Sequence, residues 1–312
     1  MIMIKTAAFL LSFFLALVIF PFFIKMLKKR KITGTDVYKT DKRKVAERGG
    51  LLVLIISAIV ILLFLYFVRF SFAEWIIILA IFLFGIYGFI DDVYKFNRLT
   101  NFLIPFIIPL VLIFTKGFDF ISIPLLGDLG PSINGFIITV IFIAMCANLI
   151  NLHSGFNGLS IGAGFIVLVT LFLKYFVDAK LGNLTFFFIL AGSFLGFLWY
   201  NKYPAKIFEG NVGTFTLGAA IGILIAWRGY FISGLIMLFP HIVCFLMDIY
   251  GYFKIKHAKF GTARKDGTIE VPNPYELSWI FPYYFRMKEQ QITYLMLFFT
   301  LVFCAISLFV PF

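Results

Sequence analysis

The sequence predicts an all-α polytopic membrane protein of about ten transmembrane helices, with its polar residues gathered on the cytoplasmic side. Three observations carry this. Of the 312 residues, 62% are hydrophobic and only 13% charged, an apolar surplus that a soluble core cannot enclose and a bilayer accepts. The apolar runs recur at close to the roughly 20 residues needed to cross the hydrocarbon layer. The basic residues collect in alternate loops, as the positive-inside rule requires.

Taken in order, the runs predict spans at 5–24, 50–69, 74–91, 101–115, 133–150, 158–177, 183–199, 212–227, 231–249 and 291–310. The first is too long for a typical signal peptide and lacks a small-residue cleavage site, so it reads as retained. The 101–115 run is short, and reads as a tilted or incomplete span. Ten spans place both termini on one side and the loops 25–49, 91–100, 151–157, 200–211 and 250–290 on the other. The first of these loops is basic from Lys25 to Arg48, and the last carries Lys254, Lys256, Lys259, Arg264, Lys265, Arg286 and Lys288. Loops on the terminal side hold only scattered bases such as Lys116 and Lys180. The loops 25–49 and 250–290 are therefore expected in the cytoplasm and both termini outside.

The net charge of +12 follows these membrane flanks, where topology and anionic headgroups account for it, and no nucleic-acid partner is expected. Cys146, Cys244 and Cys304 lie in apolar runs without paired spacing and read as buried small hydrophobes. No internal repeat is evident, which weighs against an inverted-repeat transporter.

The polar residues cluster at span ends. Asp91 and Asp92 close the third run, with Lys95 and Arg98 following at once. Carboxylates there cost several kcal/mol to desolvate unless hydrated, paired or metal-bound; the plain alternative is a hydrated topological flank. Asn148 and Asn151 share a helix face, and Asn157-Gly158 reads as a turn or helix start. Buried amides need partners; asparagine cross-links at a glycine-rich helix contact would also supply them. Gly210, Gly213 and Thr214 would let backbone N–H groups approach an anion at the head of the eighth span, with Lys206 nearby, although such a helix start more often serves packing. His257 lies among Lys254, Lys256 and Lys259 on the same side. This pattern points to an anionic substrate held through cations and a metal, against the simpler reading of a solvated basic loop.

Over almost its whole length the chain resembles the polyprenyl-phosphate N-acetylhexosamine-1-phosphate transferases, the glycosyltransferase family 4. The signatures are Gly34-Thr-Asp36 with Glu47-Arg48-Gly49-Gly50, Gly88-Phe-Ile-Asp91-Asp92, Asn148-Leu-Ile-Asn151 with Gly155-Phe-Asn157-Gly158-Leu, and Pro204-Ala-Lys-Ile-Phe-Glu-Gly210-Asn211-Val-Gly213. The Gly-Phe-Asn-Gly-Leu form and the Gly-Thr-Asp loop are similar to the dolichyl-phosphate GlcNAc-1-phosphate transferases. The resemblance implies one membrane domain over 1–312, a ten-span fold and a cytoplasmic-facing cleft in the cell membrane. It further implies transfer of GlcNAc-1-phosphate from UDP-GlcNAc to dolichyl or polyprenyl phosphate, with release of UMP and use of Mg²⁺, or Mn²⁺ in its place. Asp91 and Asp92 then match the essential acidic pair, Asn151 and Asn211 fall at metal-contacting positions, and Asn157 at a nucleotide-site position. Lys95, Arg98, Lys206, Lys256, His257, Lys259 and Arg264 are expected to bind substrate.

Three departures stand out. Asn211 replaces the family's metal-binding aspartate and lacks the charge that offsets the ion. A lysine expected near Asn101 is missing, with Lys95 and Arg98 the nearest cations. The loop reads Lys256-His257-Ala-Lys259-Phe-Gly-Thr-Ala-Arg264, where the dolichyl type has a compact His-Arg-x-Pro-Arg, and lysine does not reproduce the arginine fork. Two rival readings follow: the same reaction on another UDP-N-acetylhexosamine, or a catalytically weakened lipid-phosphate or nucleotide-sugar binding or transport protein. The apolar pattern leaves a homodimer open.

Overall fold

The computed structural model describes residues 2–115, 122–123, 127–128, 132–178, 182, 184–255 and 261–310. Helix α1 spans Ile2–Lys29 and is followed by a hairpin of β1 (Thr33–Thr35) and β2 (Lys44–Ala46). Then come α2 (Gly49–Phe64), α3 (Phe72–Tyr94) and α4 (Arg98–Leu103), which runs on through two tight 3₁₀ turns, Ile104–Phe106 and Ile108–Phe114. The short hairpin β3 (Ser122–Ile123) and β4 (Gly127–Asp128) precedes α5 (Ile133–Leu152), α6 (Leu159–Val177), α7 (Thr185–Asn201) and α8 (Gly210–Trp227). Helices α9 (Phe231–Met237) and α10 (Phe239–Lys254), the hairpin β5 (Thr262–Ala263) and β6 (Ile269–Glu270), α11 (Leu277–Tyr284) and α12 (Glu289–Ser307) complete the chain.

Six of these helices, α1, α3, α5, α6, α8 and α12, are long and apolar enough to cross a membrane. A further candidate is the α9–α10 pair, bent by 66°, and three shorter apolar segments lie at Gly49–Phe64, Arg98–Phe114 and Thr185–Asn201. The protein is thus an all-α integral membrane protein. Each predicted run coincides with one of these segments, but two depart from a straight span. The 101–115 run tightens into 3₁₀ turns where Pro105 and Pro109 remove backbone donors. The 231–249 run breaks at Leu238, and Pro240 starts the new helix α10, which continues to Lys254. The 250–290 loop also has structure of its own in β5–β6 and α11.

Local chemistry sets the ends that matter. Ser71 and Glu74 form a capping box that starts α3. Lys95 adopts a left-handed conformation (φ 53°), and its N–H closes on the Asp91 carbonyl to end α3. Helix α8 is the central element, with 83% of its apolar window buried in the protein, whereas α1 is only 28% buried and lies outermost. Helices α2, α3, α5 and α6 surround α8, and α1 packs along α7. Two glycines allow the approach. A Cβ on Gly88 would lie 2.4 Å from the Asn211 carbonyl oxygen, and one on Gly50 would lie 2.2 Å from the Gly213 nitrogen. Helices α3 and α2 therefore meet the first turn of α8 backbone to backbone.

Candidate active site

The first turn of a helix leaves backbone N–H groups without intrahelical partners and carries positive partial charge. At the head of α8, Glu209 occupies the cap position and makes no side-chain cap bond. Asp92, from the end of α3, serves instead. Its Oδ1 accepts from the Asn211 N–H at 2.8 Å, and its Oδ2 accepts from the Val212 N–H at 3.3 Å. Asp91, one residue earlier, is 3% exposed and faces the other side of the same junction. Its Oδ1 accepts from the Phe96 N–H at 2.9 Å, and its Oδ2 accepts from the Asn211 carboxamide. All four carboxylate oxygens are thus fixed by donors from the turn after α3 and the start of α8.

Around this pair the chain is laced together. Ala46 bridges Ile207, the Phe208 N–H donates to Ala46, and the Gly49 and Gly50 N–H groups donate to Phe208 and Glu209. Between them, Arg48 takes a left-handed conformation (φ 67°) and its Nη2 donates to the Asp92 carbonyl at 3.0 Å. A cation at a helix C-terminus is favourably placed. Its Nε is buried without a hydrogen-bond partner among the described residues. Glu209 accepts from Asn201 at 2.9 Å, and burial pushes its carboxyl above the usual range. On the α5 side, Asn151 Oδ1 accepts from the Thr214 hydroxyl at 2.6 Å, and Asn148 donates to Ala144 and, at 3.2 Å, to Phe102. Tyr87, one turn before Asp91, donates to Asn101 at 2.9 Å.

The structure therefore brings Asp91, Asp92 and Asn211 into one cluster, with Asn151 linked to α8 through Thr214. The exposed Lys95 and Arg98 follow directly on the end of α3, and Arg98 lies over the Tyr252 ring at 5.8 Å. Lys206 is exposed, 5.7 Å from the Tyr200 ring. Arg264 turns back on its own hairpin, to the Ile269 carbonyl and to Glu270 at 3.4 Å. Lys256, His257 and Lys259 lie outside the described residues.

Asn157 stands in a second cluster. It is 3% exposed, and its Nδ2 donates to Asp36 at 3.1 Å while its N–H donates to Glu289 at 2.8 Å. Lys39 pairs with Glu289 and, at 3.4 Å, with Asp36, and its ammonium lies 4.3 Å from the centre of the Tyr203 ring. This buried set ties the first loop and the 151–158 segment to the start of α12. Sequence reasoning gave no role to Arg48, Lys39 or Glu289, and did not link Thr214 to Asn151. Arg48 sits inside the Glu47-Arg48-Gly49-Gly50 signature, the one available signal; the Lys39–Glu289 pair spans 250 positions and has none.

His153 and His241 form a third, drier feature: their rings meet edge to face at 4.5 Å, both fully buried. Between α10 and α11 runs an apolar groove of about 500 Å³, lined by Leu246, Met247, Tyr250, Tyr275, Ile280 and Tyr284 among others.

Among the described residues no three His, Cys, Asp or Glu side chains converge to hold a metal. The side chains at the junction are instead oxygen-bearing: the carboxylates of Asp91 and Asp92 and the carboxamides of Asn211, whose nitrogen faces Asp91, and Asn151, whose oxygen accepts from Thr214. That set suits a hard ion such as Mg²⁺, which is commonly held by one or two carboxylates and completed by water and substrate phosphate.

The description Glycosyl transferase family 4 matches residues 74–228. A relative from Saccharolobus solfataricus, with the provisional name UDP-N-acetylglucosamine–dolichyl-phosphate N-acetylglucosaminephosphotransferase, is 32% identical over 91% of this chain and 89% of its own. A glycosyltransferase, also provisionally named, from Methanocaldococcus jannaschii is 32% identical over 75% of this chain and 71% of its own. The phospho-N-acetylmuramoyl-pentapeptide-transferase of Wolbachia pipientis wMel is 30% identical over 83% and 86%. These matches place the chain with membrane-embedded transferases. The chain is a member of glycosyl transferase family 4, among the polyprenyl-phosphate N-acetylhexosamine-1-phosphate transferases.

Proposed function

We propose that the protein transfers GlcNAc-1-phosphate from UDP-GlcNAc to dolichyl or another polyprenyl phosphate. A lipid-phosphate oxygen bonds to the β-phosphorus of the donor, the bond from that phosphorus to the bridging oxygen breaks, and UMP departs with that oxygen. The observation that carries this reading is the Asp91–Asp92 pair held by the N-terminus of α8, with Arg48 at the Asp92 carbonyl.

Asp92 is held by two main-chain donors and positions rather than moves. Asp91, held partly by a side-chain amide, orients the acceptor phosphate. Because a lipid phosphate is already largely anionic near neutral pH, alignment matters more than proton removal. Asp91, Asp92, Asn211 and Asn151 would hold Mg²⁺, which when bound offsets the charge on the transferred phosphoryl group. Arg48, Lys95, Arg98 and Lys206 supply further positive charge for the pyrophosphate. The acceptor chain would lie along a membrane-facing groove, for which the apolar channel between α10 and α11 has the chemistry. Ten spans with a cytoplasmic site and both termini outside complete the reading, supported by the basic loops 25–49 and 250–290.

A second donor specificity is favoured by one finding: the Wolbachia relative is named for a muramoyl-pentapeptide substrate. Release of UMP from UDP-GlcNAc by the purified protein, dependent on added polyprenyl phosphate and Mg²⁺, tests the proposal. Binding or transport of UDP-GlcNAc without UMP release contradicts it. Asp91→Asn and Asp92→Asn should each suppress release in folded protein.

A further inference from the structure

Asn211 touches both members of the acidic pair at once. Its N–H donates to Asp92 Oδ1 at 2.8 Å and its carboxamide donates to Asp91 Oδ2, while Phe96 and Val212 satisfy the remaining two oxygens. Contact with a carboxylate oxygen fixes which edge of the amide faces Asp91: it must be the Nδ2 edge, because the oxygen edge would oppose like partial charge. A carboxamide carries a donor and an acceptor on opposite edges, and a half-turn about its last torsion exchanges them.

We propose that Asn211 is a two-state clamp on the acidic pair. Without a divalent cation its amide nitrogen bonds Asp91 and holds the two carboxylates together. When a cation is bound, the amide would turn and present its oxygen on the Asp91 side. The cation rests on the transferase reading above; the clamp itself rests on the hydrogen bonds. An ionised aspartate at this position has no donor and is capable of only the second state. With no ion, three carboxylates would share one partly buried junction, an arrangement that is strongly unfavourable. This chain has therefore exchanged affinity for the ion against a site that stays assembled in its absence. The exchange is local, because the two Asp92 bonds come from the backbone and survive any substitution that keeps the first turn of α8.

The test is thermal unfolding of the full-length protein in detergent, with chelator and through a Mg²⁺ titration, reading no catalysis. In chelator, Asn211→Asp should melt at least about 4 °C below the wild type, a shift of the size expected from losing a buried contact. Mg²⁺ should recover that loss, with a midpoint about tenfold lower than the wild type's own smaller response, since affinity follows ligand charge. The swap Asp91→Asn with Asn211→Asp sets amide against carboxylate again, and should melt within about 2 °C of the wild type in chelator. If the single variant cannot be purified without Mg²⁺, the swap carries the test.

A single variant as stable as the wild type in chelator, equal Mg²⁺ midpoints, or a swap melting no higher than the single variant would each overturn the clamp. Mg²⁺-dependent UMP release with such a flat melting pattern would sink the clamp and keep the transferase. The predicted melting pattern in a protein that releases no UMP would do the reverse.

Discussion

The approach of α3 to α8 can be widened by one methyl group. In Gly88→Ala the new Cβ would sit 2.4 Å from the Asn211 carbonyl oxygen and 2.5 Å from its carbon, whereas ordinary contact begins near 3.4 Å. The obstacle is backbone, so the helices must part by about 1 Å, the response expected of a close-packed interior. Gly88 lies one turn before Asp92, and the same parting would stretch the 2.8 Å bond from Asn211 to Asp92 beyond hydrogen-bonding range. Overpacking of this kind costs about 1–3 kcal/mol, which leaves a folded protein. A displacement of about 1 Å at reacting groups costs roughly a hundredfold in rate. Gly85→Ala is the comparison: its Cβ would meet Leu54 Cδ1 at 2.4 Å, a flexible side-chain end, and at 2.6 Å the Thr216 hydroxyl, which bonds Val212, rather than the Asn211 backbone. Initial rates of UMP release and melting curves, measured on both variants, give the answer. Gly88→Ala should lose about a hundredfold in rate, and Gly85→Ala distinctly less. A folded Gly88→Ala variant at half the wild-type rate or more would refute the reasoning, as would equal losses in the two variants.

Three further outcomes are expected. Removing Arg48 with Arg48→Ala should lower turnover by about tenfold to a hundredfold, the range for a hydrogen bond from a charged group, with Arg48→Lys recovering part; an unchanged rate would separate Arg48 from the chemistry. Glu289→Ala leaves Lys39 with Asp36 alone and the Asn157 N–H without its acceptor, and should destabilise by about 1–3 kcal/mol in melting experiments; an unchanged melting temperature would count against this buried set. Burial pushes the Glu276 carboxyl up to about 8, with Asp248 adding to the shift and Ser278 opposing it. The folded state thus holds this proton more tightly than the unfolded chain, so stability is full below pH 4.5 and falls as pH rises towards about 8. Glu276→Gln should flatten that fall, and an unaltered pH profile would count against it.

Much of the fold was legible because membrane-spanning helices announce themselves by apolar length alone. All ten predicted runs fall on helical segments, and the acidic pair and the Gly210–Gly213 helix start meet as the clustering of polar residues anticipated. What was not legible has physical causes. Periodicity does not reveal that Pro240 begins a new helix at 66° to the last, nor that Pro105 and Pro109 tighten their segment into 3₁₀ turns. Arg264, expected at the substrate, is closed within its own hairpin by Glu270, only six residues away but across a turn. The partners of Asn157, matched above to a nucleotide-site position, are Asp36 and Glu289, 121 and 132 positions distant. Partners of that kind belong to tertiary packing. The His153–His241 contact is likewise invisible in sequence, since His241 sits alone in an apolar stretch far along the chain from His153.

The central claim is tested most directly by UMP release from UDP-GlcNAc in detergent, with dolichyl phosphate present or omitted and Mg²⁺ titrated. The account predicts release that requires both the lipid phosphate and the ion, and that falls away in Asp91→Asn and Asp92→Asn. Folded protein that binds UDP-GlcNAc yet releases no UMP at any Mg²⁺ concentration, even with Asn211→Asp, would contradict it.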